Sequence, residues 1–206
     1  MNFVKIDGIE YNLTDLEKDC WVRLLNGSLK GRDPFHSPTL ANIGKKGINM
    51  RTVILRKVNI TEKLLAFHTD IRSGKWQELQ NNDTVSWLFY DAASRFQIRL
   101  AGKATLHHND IIANESWHKT SANSRKTYMT TIAPSLQSET PTSGLLPAFE
   151  AVNPTIEETE IYKKNFAVVV TQIDWMEWLW LSSKGHRRAS FTYAENNKFE
   201  ASWLVP

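Results

Sequence analysis

The stretch TLANIGKKGINMRTVILRKV (residues 39–58) decides the fold class, because it has the pattern of a β-hairpin. A short strand at 39–43 leads into the turn Gly44-Lys45-Lys46-Gly47, and the β-branched run 48–58 follows it. Further strand-like runs lie at 64–69, 84–90, 95–107, 166–173, 175–182, 187–193 and 199–204. Consecutive hairpins favour an antiparallel sheet or barrel over alternating strand–helix units.

Helical patterns flank these strands. Apolar residues recur at helical spacing after the capping-box pattern Thr14-Asp15-Leu16-Glu17, and they predict an amphipathic helix over 14–29 that Gly27 and Gly31 end. Shorter helices are predicted at 73–81, 109–119 and 156–164, and a Pro-, Ser- and Thr-rich loop at 131–154. We therefore expect a single, mainly β (α+β) domain over residues 1–206, with an N-terminal helical segment at 1–30.

Composition limits the classes of function. The chain has 206 residues, 41% of them apolar, and a net charge of +3 with scattered Lys and Arg, which favours a globular protein that binds neither nucleic acid nor membrane. The single cysteine, Cys20, excludes an intrachain disulfide, and the N-terminal residues lack a secretory signal pattern, so a cytoplasmic location is expected. The six histidines have no metal-ligand spacing, so no metal is expected.

Two basic segments have the chemistry of a ligand contact. The run Arg51-Thr52-Val53-Ile54-Leu55-Arg56 places an arginine at each end of an apolar stretch, which suits a flat ligand, although solvated arginines on an edge strand explain this run alone more simply. Residues 68–75 connect a strand to a short helix, whose N-terminus attracts anions. Arg72, Ser73 and Lys75 add two charges and a hydroxyl there, which favours a bound anion over a plain capped helix.

Three further features allow both a structural and a functional interpretation. Gln97 lies within a long strand, where its amide either faces solvent or contacts the edge of a heterocycle. The basic turn 184–188 is typical of a solvated loop. Trp175, Trp178 and Trp180 share one run, where core packing is expected for at least two of them. No nucleophile–base–acid set is present, so the catalytic residues stay unknown at this point.

The order and spacing of these segments resemble the pyridoxamine 5′-phosphate oxidase family. RTVILR (51–56), FHTDIRSGKWQEL (67–79) and RFQIRLAGKA (95–104) carry the resemblance, and HRRASF (186–191) and WLVP (203–206) extend it more loosely. The resemblance implies an FMN-binding split β-barrel, antiparallel and Greek-key-like, with flanking helices. It also implies a homodimer with FMN at the subunit interface and a small-molecule substrate.

The same resemblance implies which residues bind FMN. Arg51 through Arg56 would run beside the ring and the ribityl chain, while Ser73 and Lys75 would hold the phosphate. The other implied FMN contacts are His68, Thr69, Arg72, Gln97, Trp178 and Arg188, together with Gln137 and Ser138 from the second subunit.

The chain departs from the vitamin B6 oxidases at positions that the resemblance marks for phosphate and substrate. Gly74 replaces a phosphate-binding arginine, and Arg72 is the expected substitute. The substrate positions carry Arg56, a residue near Trp117, Ser121 and Arg125 in an uncertain register, and Lys184-Gly185-His186 followed by Arg187. These changes argue for retention of FMN and against efficient oxidation of pyridoxamine phosphate.

Three functions follow as alternatives. The first is an FMN-dependent oxidoreductase that acts on an unidentified small molecule. The second is a true pyridoxamine or pyridoxine 5′-phosphate oxidase with a rearranged substrate site. The third is a non-catalytic module that holds a flavin, a deazaflavin or haem, with His68, His107 and His118 as candidate haem ligands.

Overall fold

The structure is a computed structural model that describes residues 3–193 and 199–206. The chain separates into two compact units. The first contains residues up to 67, 83–104 and 170–206, and the second contains 68–82 and 105–169. The single domain expected over 1–206 stays a prediction, and residues 1–2 and 194–198 of that range lie outside the described residues.

Antiparallel strands dominate the described chain. They are β1 (Val4–Ile6), β2 (Ile9–Tyr11), β3 (Thr39–Gly44), β4 (Gly47–Thr52), β5 (Leu55–Asn59), β6 (Leu64–Asp70), β7 (Thr84–Asp91), β8 (Phe96–His107), β9 (Phe166–Trp180), β10 (Arg187–Tyr193) and β11 (Phe199–Leu204). The larger sheet has the order β11-β10-β9-β8-β7-β3-β4, and β6 pairs with both β5 and β9. The β1–β2 hairpin is a separate sheet, so the segment 1–30, which was expected to be helical, contains two strands before its helix.

The helices occupy the connections between strands. They are α1 (Leu13–Leu29), α2 (Gly74–Asn81), α3 (Ile111–Lys119), α4 (Ala122–Arg125), α5 (Pro147–Glu150) and α6 (Ile156–Glu160), with 3-10 turns at Pro34–His36, Lys126–Tyr128 and Lys163–Asn165. The predicted loop at 131–154 therefore contains one helical turn, α5, while the helix expected at 156–164 is split into α6 and a 3-10 turn.

The helix predicted over 14–29 is confirmed as α1, but its N-cap and the role of Gly27 differ from the prediction. Asn12, not Thr14, is the N-cap, because its side chain accepts a hydrogen bond of 2.9 Å from the Asp15 amide. Glu17 is buried instead of capping, and it accepts hydrogen bonds from Lys63 and Tyr193. Gly27 lies inside the helix, where a Cβ would meet Phe35 at 2.8 Å, so this glycine permits close packing and does not end the helix.

The hairpin at residues 39–58 is confirmed, with one correction. Gly44 pairs with Gly47 across the Lys45–Lys46 turn, as the sequence predicts. The run 48–58 is not one strand, because β4 ends at Thr52 and β5 begins at Leu55. The reason is a change of partner, since β4 pairs with β3 whereas β5 pairs with β6. The opposite error occurs at 166–182, where two expected strands form the single strand β9.

The sheet of the first unit has a core face and a more polar face. Ile98 pairs with Phe89 and Ala189 pairs with Trp178, and all four side chains are buried. Their neighbours along the strands point to the other side, because side chains alternate along a strand. Gly102 marks a close approach of β8 to β9, since a Cβ there would lie 1.9 Å from the Gln172 carbonyl oxygen.

The core of the second unit is built around aromatic rings and a buried arginine. Trp117, Tyr128 and Phe166 are in mutual contact, with ring centroids 5.0 to 6.1 Å apart. Arg125 lies over the Trp117 ring, 4.3 Å from its centroid, and is only 2% exposed. This cluster packs α3 and α4 against the start of β9.

Candidate functional site

One group of candidate residues lies on the more polar face of the first unit's sheet, which we call the Gln97 face. Gln97 pairs with Tyr90 on β7, and Arg99 follows on the same side of β8. Glu177 of β9 also points to this side, because it accepts a hydrogen bond from Arg99, and Arg188 of β10 donates to the same carboxylate. Two predicted residues, Gln97 and Arg188, therefore share a face with two residues that were not predicted.

Glu177 is the centre of this face. Its side chain is only 4% exposed, and it accepts a hydrogen bond of 3.3 Å from Arg99 Nη1 and one of 2.6 Å from Arg188 Nη2. The Arg99 guanidinium also lies 5.5 Å from the centroid of the Trp175 ring. A buried carboxylate thus fixes two arginines whose side chains are 50% and 32% exposed.

A second group lies in the second unit, at the N-terminus of α2, and we call it the α2 cluster. It contains Thr69, Ser73 and Lys75. Lys75 Nζ donates to Thr69 Oγ1 at 3.1 Å, and the Thr69 and Ser73 hydroxyl oxygens are 3.3 Å apart. Ser73 is the N-cap, but its hydroxyl donates back to the Asp70 carbonyl at 2.7 Å and does not cap the helix. One ammonium and two hydroxyls therefore surround a helix start that no side chain caps.

Arg72 has a different role from the one predicted. Its Nε and Nη2 donate to the Asp70 carboxylate, and Nη1 and Nη2 donate to the carbonyl and hydroxyl oxygens of Thr130. The hydrogen bond to Asp70 raises the pKa of Arg72, so its charge is permanent but locally cancelled. Arg72 ties the strand end to residue 130, and few of its five N–H groups are left for a phosphate.

The run 51–56 keeps its alternation although it spans two strands. Val53 and Leu55 are buried, whereas Thr52 and Arg56 are exposed. The Arg51 guanidinium donates to the buried Asn42 side chain. The buried side chains cannot meet a ligand, so any contact from them would come from the backbone of the break at 53–54, a segment that includes half-buried Ile54.

The remaining predicted residues differ in accessibility. His68 is half-buried and packs edge-to-face on Phe166 at 4.8 Å. Gln137 and Ser138 lie on an exposed segment, where the Ser138 hydroxyl donates to the Thr140 carbonyl at 2.7 Å. Trp178 is completely buried and contacts Phe96 on the core face, which is opposite to Arg188. Its expected contact with a cofactor stays a prediction that this arrangement does not favour.

Two of the candidate substrate residues of the second unit, Arg125 and Trp117, are also buried. Arg125 donates hydrogen bonds to the Trp117 and Thr120 carbonyls, to the Thr159 hydroxyl and to the Glu160 carboxylate. Trp117 is fully buried, with its indole N–H on Glu160. Neither side chain is accessible to a substrate phosphate.

A cavity of about 300 Å³ in the first unit lies beside α1. Asp19, Asp33 and Asp91 line it together with Arg23, which is bound to Asp19 at 2.6 Å. None of the predicted cofactor residues contributes to it. Its acidic lining does not suit a phosphate.

The comparisons with known proteins give one family match. Residues 18–108 match the family described as pyridoxamine 5'-phosphate oxidase, FMN-binding domain. No curated protein matches the chain. The matched range of the FMN-binding domain includes the 51–56 run, the α2 cluster and Gln97, but it ends before Glu177 and Arg188.

Two solved structures show the same fold over nearly the whole chain. One is a pyridoxamine 5'-phosphate oxidase-related, FMN binding protein from Nostoc punctiforme PCC 73102, at 20% identity and a TM-score of 0.71, covering 92% of this chain and 96% of that one. The other is PhzG from Burkholderia lata 383 in complex with tetrahydrophenazine-1-carboxylic acid, at 17% identity and a TM-score of 0.70, covering 98% and 100%. The predicted split-barrel fold with flanking helices is confirmed.

Two further observations on the described residues concern metal binding and membrane spans. No group of three or more His, Cys, Asp or Glu side chains within them has metal-binding geometry. None of the described helices combines the length and the apolar character that a membrane span requires.

Proposed function

We propose that this chain binds FMN and acts as an FMN-dependent oxidoreductase on a small molecule. The observation that carries the proposal is the α2 cluster, which has the donors that a phosphate monoester needs. Lys75 supplies a positive charge, Thr69 supplies a hydroxyl, and the helix start supplies backbone N–H groups, whereas the single hydroxyl hydrogen of Ser73 is already donated to the Asp70 carbonyl. The match of residues 18–108 to an FMN-binding domain family supports this interpretation.

The donor set fits the phosphate group of FMN. A phosphate has several oxygens, each of which accepts more than one hydrogen bond, so an ammonium, a hydroxyl and backbone N–H groups are matched to it. Arg72 is not needed for this purpose, because Asp70 cancels its charge. Lys75, which donates to the Thr69 hydroxyl, is then the residue of the cluster that supplies positive charge.

The Gln97 face offers groups of the kind that contact a flavin ring. The Gln97 amide both donates and accepts, which matches the alternating acceptors and donor on the edge of an isoalloxazine. Arg188 is held by Glu177 and would supply positive charge beside a ring that becomes more electron-rich on reduction. Bound FMN would supply the redox chemistry, as acceptor or donor of a hydride.

Replacing Lys75 with Ala tests the proposal. Loss of one charge-assisted contact to phosphate weakens binding by roughly 10- to 100-fold. The measurement is the affinity for FMN, followed by the change in flavin fluorescence as FMN and protein are titrated. It is carried out on wild type, on Lys75→Ala and on the control Lys119→Ala, because the Lys119 side chain on α3 is 79% exposed. Equal FMN affinity in all three proteins would contradict the proposal, as would a wild-type protein that cannot be reconstituted with FMN.

The buried state of Arg125 and Trp117 separates this proposal from the second alternative. A pyridoxamine phosphate oxidase needs a second phosphate-binding set for its substrate, and two of the residues expected for that set, Arg125 and Trp117, are engaged in the core of the second unit. We therefore place a true vitamin B6 oxidase below an oxidoreductase with another substrate. Formation of pyridoxal phosphate by the purified, FMN-loaded protein would reverse this order.

The Gln97 face also supports the proposal of a homodimer. Ile43, Ile48 and Met50 continue this face onto β3 and β4, as the ladder registers show, and these side chains are 49%, 73% and 64% exposed. An exposed apolar patch on a sheet commonly marks a protein interface. Sedimentation velocity on the purified chain should give a mass of two chains, and a monomer at all concentrations would contradict the proposal.

A further inference from the structure

The Arg99–Glu177–Arg188 group on the Gln97 face carries an uncompensated positive charge. One carboxylate is shared by two guanidinium groups, so the group of three has a net charge of +1. Among the described residues, Glu177 is the only acid within ion-pairing distance of either arginine. The shared carboxylate fixes both arginines without neutralising them.

The hydrogen-bonding capacity of the two arginines is also largely unused. Each guanidinium has five N–H donors, and the contacts shown to Glu177 use one from each arginine. Arg188 Nε is buried without an acceptor among the described residues, so protein contacts do not saturate this guanidinium. Arg99 is half-exposed, and the Trp175 ring beneath it limits the directions that its planar group can take.

We propose that Arg99 and Arg188, held by Glu177, bind the carboxylate of a planar organic ligand on the Gln97 face. Two fixed, planar guanidinium groups match the geometry of a carboxylate, which accepts paired N–H bonds. The half-exposed rings of Trp175 and Tyr90 lie on the same face and provide apolar surface for a flat body attached to that carboxylate.

The chain itself provides a matched control. Lys103 lies on β8 on the same side as Arg99 and is also a half-exposed cation, but it donates to Asp83 at 2.8 Å and to Thr84 at 2.9 Å. Its charge is cancelled by one acid of its own. Lys103→Gln therefore removes the same charge from the same strand without touching the proposed site.

The probe is benzoate, and its neutral isostere benzamide is the comparison ligand. Isothermal titration calorimetry on the full chain, as purified and with its flavin content recorded, should show benzoate binding at least about tenfold tighter than benzamide. Arg99→Gln should weaken benzoate binding by about tenfold or more, because a hydrogen bond to a charged group is lost. Arg99→Lys should recover part of that loss, and Lys103→Gln should behave as wild type.

A carboxylate from a second copy of the chain has the same chemistry as a small-molecule carboxylate, and sedimentation velocity distinguishes the two. If a second copy supplies it, Arg99→Gln and added benzoate will both shift the protein towards monomer. If a small molecule supplies it, neither will change the mass while calorimetry detects benzoate. Equal affinity for benzoate and benzamide, equal behaviour of Arg99→Gln and Lys103→Gln, or no benzoate binding together with an unchanged mass would each overturn the inference.

This inference shares the Gln97 face, including Arg188, with the proposed contact to the flavin ring, but its test does not require bound FMN. The Lys75→Ala titration tests FMN binding at the α2 cluster, and the Arg99→Gln titration tests the Gln97 face. A chain that fails to hold FMN but binds benzoate through Arg99 would overturn the proposed function and leave the carboxylate site in place. The reverse result would do the opposite.

Discussion

Arg125→Met should destabilise the protein strongly, because Arg125 is the buried link between three segments of the second unit. Its Nε lies 3.1 Å from the Trp117 carbonyl and 2.9 Å from the Thr120 carbonyl, and its Nη1 lies 3.1 Å from the Thr159 hydroxyl. Methionine fills part of the volume with an apolar chain but donates to none of these oxygens.

The magnitude follows from what the substitution leaves behind. The ion pair with Glu160 contributes little, since the Glu160 side chain is 43% exposed and screened by solvent. The larger cost comes from the buried Thr120 carbonyl oxygen, which loses its donor at about 1–3 kcal/mol. The Trp117 carbonyl keeps the Thr120 N–H as a donor, so the hydrogen bonds lost there and at the Thr159 hydroxyl cost about 0.5–1.5 kcal/mol each. The expected loss is therefore about 2–6 kcal/mol, which for a chain of this size lowers the melting temperature by roughly 4–24 °C.

Urea unfolding monitored by circular dichroism measures this loss, with Lys119→Met as the control. Lys119 is 79% exposed and 3.6 Å from Glu115, so its replacement should change stability by less than about 0.5 kcal/mol. The alternative role for Arg125, binding of a substrate phosphate, predicts the opposite pattern. Weaker ligand binding with an unfolding midpoint equal to that of Lys119→Met would refute the structural interpretation of Arg125.

Two further predictions concern stability at acidic pH and the close approach of β8 to β9 at Gly102. Burial tends to raise the pKa of Glu160, but hydrogen bonds from Arg125 and Trp117 outweigh it and lower that pKa. The stabilisation by this carboxylate is therefore present above about pH 4.3, and it is lost as the pH falls through the folded-state pKa. The stability gap between wild type and Arg125→Met should accordingly narrow in urea titrations below about pH 4, and an unchanged gap would contradict this. Gly102→Ala should cost at least about 3 kcal/mol, the upper end for overpacking, because the new Cβ meets backbone at Gln172, whereas Gly31→Ala has open space and should be nearly neutral in the same assay.

The hairpin at 39–58 could be predicted because its signals are local. A two-residue turn between β-branched runs specifies its own pairing, and the structure reproduces the pairing from Thr39 with Thr52 to Gly44 with Gly47. The break at Val53 could not be predicted, because it reflects a change of partner strand, and pairing between distant segments leaves no periodic trace in one strand's own sequence. The same reason explains why β9 continues through Asp174, where the sequence analysis places a break between two strands.

The cap of α1 shows how a tertiary contact overrides a local motif. Thr14 and Glu17 have the spacing of a capping box, yet Glu17 is buried beneath Lys63 and Tyr193, at 2.7 and 2.8 Å. Burial raises the pKa of Tyr193 and keeps its hydroxyl protonated, so it can donate to the Glu17 carboxylate. The contact of Glu17 with Tyr193, more than 170 residues away in sequence, therefore replaces the capping role that the local motif predicts for this glutamate.

The functional residues could be predicted by type but not by availability. The sequence indicates that Arg72 and Lys75 flank one helix start, yet it does not show that Asp70 and Thr130 occupy the arginine while the lysine donates to the Thr69 hydroxyl. Arg99 and Glu177 were missed, although strand alternation places Arg99 on the same side as Gln97 and an acid within the run DWMEWLW is an unusual residue for a buried strand.

The acid that accompanies each arginine decides whether it can bind a ligand. Asp70 is paired with Arg72 and Glu160 with Arg125, so each of these arginines has one carboxylate of its own and serves to join segments of the fold. Glu177 is divided between Arg99 and Arg188, so it orients two guanidinium groups and neutralises the charge of only one. Because an anion gains most where positive charge is both fixed and uncancelled, the Arg99–Glu177–Arg188 group on the Gln97 face is where we expect this chain to bind an anionic ligand.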